Sequence, residues 1–103
     1  MALEGVALTE ERSDTMAEFL LRYQAPITGP DGLKYEARAY GAAIDDDRLW
    51  EGWVEFVPID GGSTIRTPRE TTQPNRVNTV YWASGLEPVY LEGALLRALA
   101  ASR

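Results

Sequence analysis

LKYEARAYGA at residues 33–42 and LWEGWVEFV at residues 49–57 decide the fold of this chain. In the first stretch Leu33, Tyr35, Ala37 and Ala39 alternate with Lys34, Glu36 and Arg38; in the second Trp50, Gly52, Val54 and Phe56 alternate with Glu51, Trp53 and Glu55. A period of two marks a strand with one buried face. Between the stretches, Ile44, Asp45, Asp46, Asp47 and Arg48 read as a polar turn, so the pair predicts an antiparallel hairpin. Its register follows from the side chains, because a slip of one residue would turn every side chain to the wrong face. One allowed register sets Arg38 opposite Glu55 and Tyr40 opposite Trp53; another sets Glu36 opposite Glu55. Opposite charges and aromatic pairs favour a register by ~0.2–1 kcal/mol and like charges oppose it, so the first is expected.

The core face of the first strand then carries Ala37, Ala39 and Gly41. Such small residues leave room for a bulky element across the sheet, and a helix is expected there. Pro58 ends the second strand, and Asp60, Gly61 and Gly62 turn the chain into a short third strand over 63–67, at an edge because Pro68 cannot donate to a ladder. Residues 67–76, polar and with two prolines, read as an ordered surface loop. Asn75 or Gln73 can open a helix through Ala83 that Gly85 closes. Pro88 suits the first position of a final helix whose apolar stripe is Leu91, Leu95, Ala98 and Leu99. Gly93 inside it costs ~1 kcal/mol relative to alanine, which a close helix–sheet approach would explain. Towards the N-terminus, residues 1–8 read as a loose tail. Thr9 can cap a helix in which Met16, Phe19, Leu20 and Tyr23 form one stripe, and residues 24–32 read as a linker. The expected architecture is a single α+β domain over 1–103, an antiparallel sheet of at least three strands with C-terminal helices on one face. The N-terminal helix is either a second cover or a docking arm.

Composition bounds the chemistry. The 103 residues suit one domain with a real core. No cysteine is present, which removes disulfides, thiol nucleophiles and cysteine metal sites; no histidine is present, which removes the commonest general base. The net charge of −6 disfavours broad nucleic-acid binding, although residues 61–103 carry 5 bases against 3 acids. No apolar run is long enough to cross a membrane, and the start lacks the marks of a signal peptide, so a cytoplasmic location is expected.

Several groups of residues invite a chemical reading. Asp45, Asp46 and Asp47 could hold a hard cation, but consecutive acids in a turn point different ways, and a solvated turn is expected. Glu51 and Glu55 lie about 13 Å apart along a strand, too far for paired-carboxylate hydrolysis. Cross-strand ion pairing, with Arg38 taking one of them, is the plainer reading. Arg66, Arg69 and Arg76, with Thr71 and Gln73 among them, offer guanidinium forks, hydroxyl and amide to a small anionic ligand; a structural loop neutralised by Glu70 competes with that reading. On the polar sheet face Tyr40 and Trp53 stand beside Arg38 and Glu51, a set suited to anchoring a protein partner unless the N-terminal helix covers it. Tyr81, Trp82 and Tyr90 are expected in the core.

Residues 35–41, 50–58, 67–75 and the tail from Tyr81 to Ala94 resemble a family of small bacterial proteins of unknown function, a likeness that covers about residues 33–100. It implies bacterial origin and no activity. The block from Gly52 to Gly62, after one strand and before another, is similar to the core of HicB-type antitoxins. That likeness implies a small sheet-and-helix domain that covers an RNase toxin, although the chain lacks the threonine-led acidic helix and the appended DNA-binding segment of that family. No phosphate loop, nucleophile elbow or metal signature stands in the sequence, so catalysis would rest on Asp, Glu, Tyr and Arg alone. The leading expectation is therefore a non-enzymatic protein-interaction module without catalytic residues, cofactor or metal. Self-association through an edge strand or the aromatic face is expected. A HicB-like inhibitor and a binder of small anions are the alternatives.

Overall fold

The computed structural model describes residues 17–103. It is an α+β fold in which one antiparallel sheet carries two helices. The elements run β1 (Glu18–Arg22), β2 (Ile27–Thr28), β3 (Lys34–Ile44), β4 (Leu49–Pro58), β5 (Ile65–Arg66), β6 (Thr71–Gln73), α1 (Arg76–Ser84) and α2 (Pro88–Ala101).

The β3–β4 hairpin is the frame. Arg38 lies opposite Glu55 and Tyr40 opposite Trp53, the register expected from the side chains. Asp45, Asp46 and Asp47 close the hairpin, all three with positive φ (53°, 54° and 69°). Aspartate tolerates this conformation better than most residues.

Each outer edge of the hairpin is lined by a strand broken in two. On the β3 side β1 and β2 pair in turn, with Pro26 in the gap; on the β4 side β5 and β6 pair in turn, with Pro68 in the gap. A proline contributes no donor, so each break falls where the ladder cannot continue. Between β5 and β6 the register along β4 moves by two residues, which places Pro68 and Arg69 outside the ladder.

Three sequence expectations are corrected here. The stripe of Phe19, Leu20 and Tyr23 belongs to β1 and its end, not to a helix; Thr9 and Met16 lie outside the described residues, as does the 1–8 tail. A bulge between Phe19 and Leu21 breaks the period of two, so the alternation that would mark a strand is missing from this stretch. The 24–32 linker contains β2, whose Ile27 is buried in the core, although the Asp31–Gly32 turn stands: the Asp31 carboxylate accepts from the Leu33 N–H at 3.0 Å. The 67–76 loop contains β6, built on two β-branched threonines.

Both helices pack on one face of the sheet. Their core joins Ala37, Val54 and Phe56 of the hairpin to Leu91, Ala94, Leu95 and Ala98 of α2, with Ile27 and Tyr35 closing one side. The small residues expected to admit a helix do so. At Gly52 a Cβ would stand 2.7 Å from Trp82 Cζ3, and at Gly41 it would stand 3.1 Å from Thr79 Cγ2. The close approach is therefore at these sheet glycines and not at Gly93, whose nearest neighbour is its own helix's Arg97. Caps fall as expected. Asn75 accepts from the Asn78 N–H at 2.8 Å, Gly85 ends α1, and Pro88 opens α2. Leu33 and Tyr81, both expected inside, are exposed.

Candidate functional site

Strand alternation gives the sheet a second face, on which no described element packs. Across it runs a row of aromatic rings, one from each of three neighbouring strands. Phe19 on β1 lies opposite Tyr40 on β3, which lies opposite Trp53 on β4. The Phe19 and Tyr40 rings meet edge to face at 5.7 Å, and those of Tyr40 and Trp53 are nearly parallel at 6.3 Å. The row ends at β5, where the Arg66 guanidinium carbon sits 4.4 Å from the Trp53 ring centroid. A guanidinium over an indole gains ~0.5–2 kcal/mol, the more so when shielded from water.

Polar rows flank the rings. On one side Arg22 and Arg38 share Glu36, the first at 3.6 Å and the second through its Nε. Glu36, and after it the Tyr40 hydroxyl, push the Arg38 guanidinium further up. Glu55 stands beside Arg38 in the register but accepts from the Trp53 indole N–H at 3.0 Å. On the other side Glu51 accepts from Arg69 Nε at 3.1 Å. Arg38 thus takes neither Glu51 nor Glu55, against expectation; a partner two residues away on its own strand lies closer.

A groove of about 410 Å³ opens over this row, lined by Ala17, Tyr40, Ala42, Glu51, Trp53, Glu55 and Arg66. Of the residues expected to meet a partner, Tyr40, Glu51 and Trp53 line it and Arg38 flanks it. Trp53 is not the exposed anchor expected, being 3% accessible, whereas Phe19 at the sheet edge is 53% accessible. Sequence reasoning missed Phe19 because it placed that residue on a helix.

The residues expected to hold a small anion do not converge. Arg66 lies over Trp53, and Arg69 is tied to Glu51. Arg76 is tied to Glu18 at 2.8 Å, a residue whose register partner Gly41 lies on the helix-packed side. Thr71 and Gln73 bond each other within β6. Among the described residues only Arg66 of the three arginines has no carboxylate in ion-pair range. Glu70 pairs instead with α2, accepting from Arg97 Nε at 2.9 Å, from Arg97 Nη2 at 2.7 Å, and from the Tyr90 hydroxyl. Burial pushes the Glu70 carboxyl up, but the Arg97 and Tyr90 hydrogen bonds outweigh it and hold it below its usual value. Burial, then Glu70, push the Tyr90 hydroxyl up to about 12. This cluster clamps the edge segment to the helix layer. Among the described residues no group of three or more acids is placed to hold a metal ion, and no helix is long and apolar enough to cross a membrane.

No family model matches the chain, and neither a curated protein nor a solved structure is found to match it. Its functional reading rests on its own geometry.

Proposed function

We propose that this chain is a non-enzymatic protein-interaction module whose working surface is the helix-free face of the sheet. One observation carries the reading. An aromatic row, Phe19–Tyr40–Trp53, crosses a face that no described element covers, and its outermost ring is half exposed. What sets Phe19 apart from other exposed apolar side chains is its place at the end of a row of rings, in edge-to-face contact with Tyr40. Aromatics with arginines beside them are the side chains on which interface energies concentrate.

The sheet edges serve this role less well. An edge that recruits another strand needs an unbroken row of free N–H and C=O groups, and Pro26 and Pro68 interrupt both edges. Self-association by strand addition is accordingly set below docking on the face. Binding of a small anion has weaker support, since two of the three arginines are already paired and point to different sides of the sheet.

The test is co-purification of the tagged chain from its native host, with the solution mass of the product. A stoichiometric second protein is expected, and an RNase in that place would narrow the reading to a HicB-like inhibitor. Recovery of the chain alone would overturn it.

A further inference from the structure

The helix-free face carries a charge opposite in sign to that of the chain as a whole. Glu36 is shared by two arginines, Arg22 and Arg38, and Glu51 holds Arg69. Lys34 alternates onto the same side of β3 as Glu36 and Arg38. With Arg66 and Glu55 the face has five bases to three acids, on a chain of net charge −6. The turn aspartates do not reverse this locally. They lie beyond Leu49, about 20 Å along β4 from Glu55 at ~3.3 Å per residue, and salt screens charges over about 10 Å.

Arg66 differs from the arginines around it. Its register partner is Glu55, yet Glu55 accepts from the Trp53 indole N–H, and among the described residues no carboxylate lies in ion-pair range of Arg66. Its guanidinium sits over the Trp53 ring instead. A guanidinium over a ring can still donate from its edge, and the ring already restricts its rotamers, so a carboxylate that meets the fork costs little further ordering. Trp53, 3% accessible, is thus the seat of Arg66, and the exposed apolar contact lies at the other end of the row, on Phe19. From β1 to β5 the row crosses four strands, about 15 Å at ~4.8 Å spacing.

Resting on the role of this face as a docking surface, we infer that its partner is an acidic protein segment, one of whose carboxylates seats on Arg66 while its apolar side chains lie towards Phe19. The surplus of bases draws such a segment to this face of an otherwise acidic chain, and Arg66 fixes where it stops.

The experiment is an NMR titration of the isotope-labelled full chain with two blocked pentapeptides, acetyl-Leu-Thr-Leu-Thr-Glu-amide and the same peptide ending in Gln. Alternate residues of an extended segment share a side, so the leucines and the acid span about 13 Å, close to the width of the row. The Glu peptide is expected to shift the Arg66 Nε–H and Trp53 indole N–H signals saturably and to bind roughly tenfold more tightly than the Gln peptide, a gap that added salt narrows. In Arg66→Gln, with the backbone spectrum reporting an intact fold, the two peptides are expected to bind alike. Equal affinity of the two peptides for the natural chain, or no saturable shift with either, would overturn the inference. So would the same shifts from acetate at the same concentrations, which would make Arg66 a seat for any small anion, or shifts that follow protein concentration alone, which would make a second copy the occupant. None of these outcomes bears on the docking role itself, which fails only if co-purification returns the chain alone.

Discussion

The two faces of the sheet solve opposite problems with the same strands. On the helix-packed face the hairpin offers glycine and alanine beside Tyr35, Val54 and Phe56, and the layer above fits onto the small positions: Trp82 onto Gly52, Thr79 onto Gly41, with Leu91 and Leu95 of α2 completing the core. On the other face the large groups belong to the sheet itself, and nothing described is laid over them. Small residues invite a layer that has to fit closely. Large residues bracketed by ion pairs make a surface that holds its shape without one. The first face should thus govern stability and the second binding.

The sharpest way to break that contrast is inside the core. Phe56→Ala leaves a void beneath α2, where Phe56 is fully buried and meets Tyr35 edge to face, and should cost ~3–5 kcal/mol. Thermal unfolding followed by circular dichroism reads the loss; a change under 1 kcal/mol would mean that the helices do not rest on this face as described. Gly52→Ala probes the close approach. Its Cβ would press on the Trp82 ring, and the overpacking should cost ~1–3 kcal/mol in denaturant unfolding.

The clamp at Glu70 gives the contrast a pH dependence. Its carboxyl is held low, so its contribution is complete above the ordinary carboxyl range and is lost as pH falls through the folded value. Tyr90 is pushed up to about 12, so its contribution is complete below ~10 and fades as pH rises towards 12. Glu70→Gln should cost ~1–3 kcal/mol near neutral pH and flatten the acid limb of a stability–pH curve. An unchanged acid limb would remove the clamp from the account. The smallest effect on stability belongs to the open face, where Phe19→Ser should cost no more than the ~0.5 kcal/mol typical of surface changes, read by thermal unfolding.

The hairpin and the helix layer were legible because several signals agreed there. Alternation, charge pairing and the Ala37, Ala39 and Gly41 face all pointed to one register, and Asn75, Gly85 and Pro88 punctuated the helices. The N-terminal strand was not legible. Phe19, Leu20 and Tyr23 stand at helical spacing in the sequence, the bulge interrupts the period of two, and pairing with β3, a contact distant in sequence, decides the conformation. β2 and β6 are two and three residues long, too short to show a period, and exist through their partners. The candidate site was half legible for the same reason. Tyr40 and Trp53 came from the hairpin, whereas Phe19 came only with β1.

The central claim is that the face without helices does the binding. The most direct measurement is retention of the co-purified protein by three full-length chains of equal stability: the natural sequence, Phe19→Ser, and Tyr81→Ser on the exposed side of α1. The account predicts that Phe19→Ser loses the bound protein while Tyr81→Ser keeps it. Retention by Phe19→Ser with loss from Tyr81→Ser would place the working surface on the helices and contradict it.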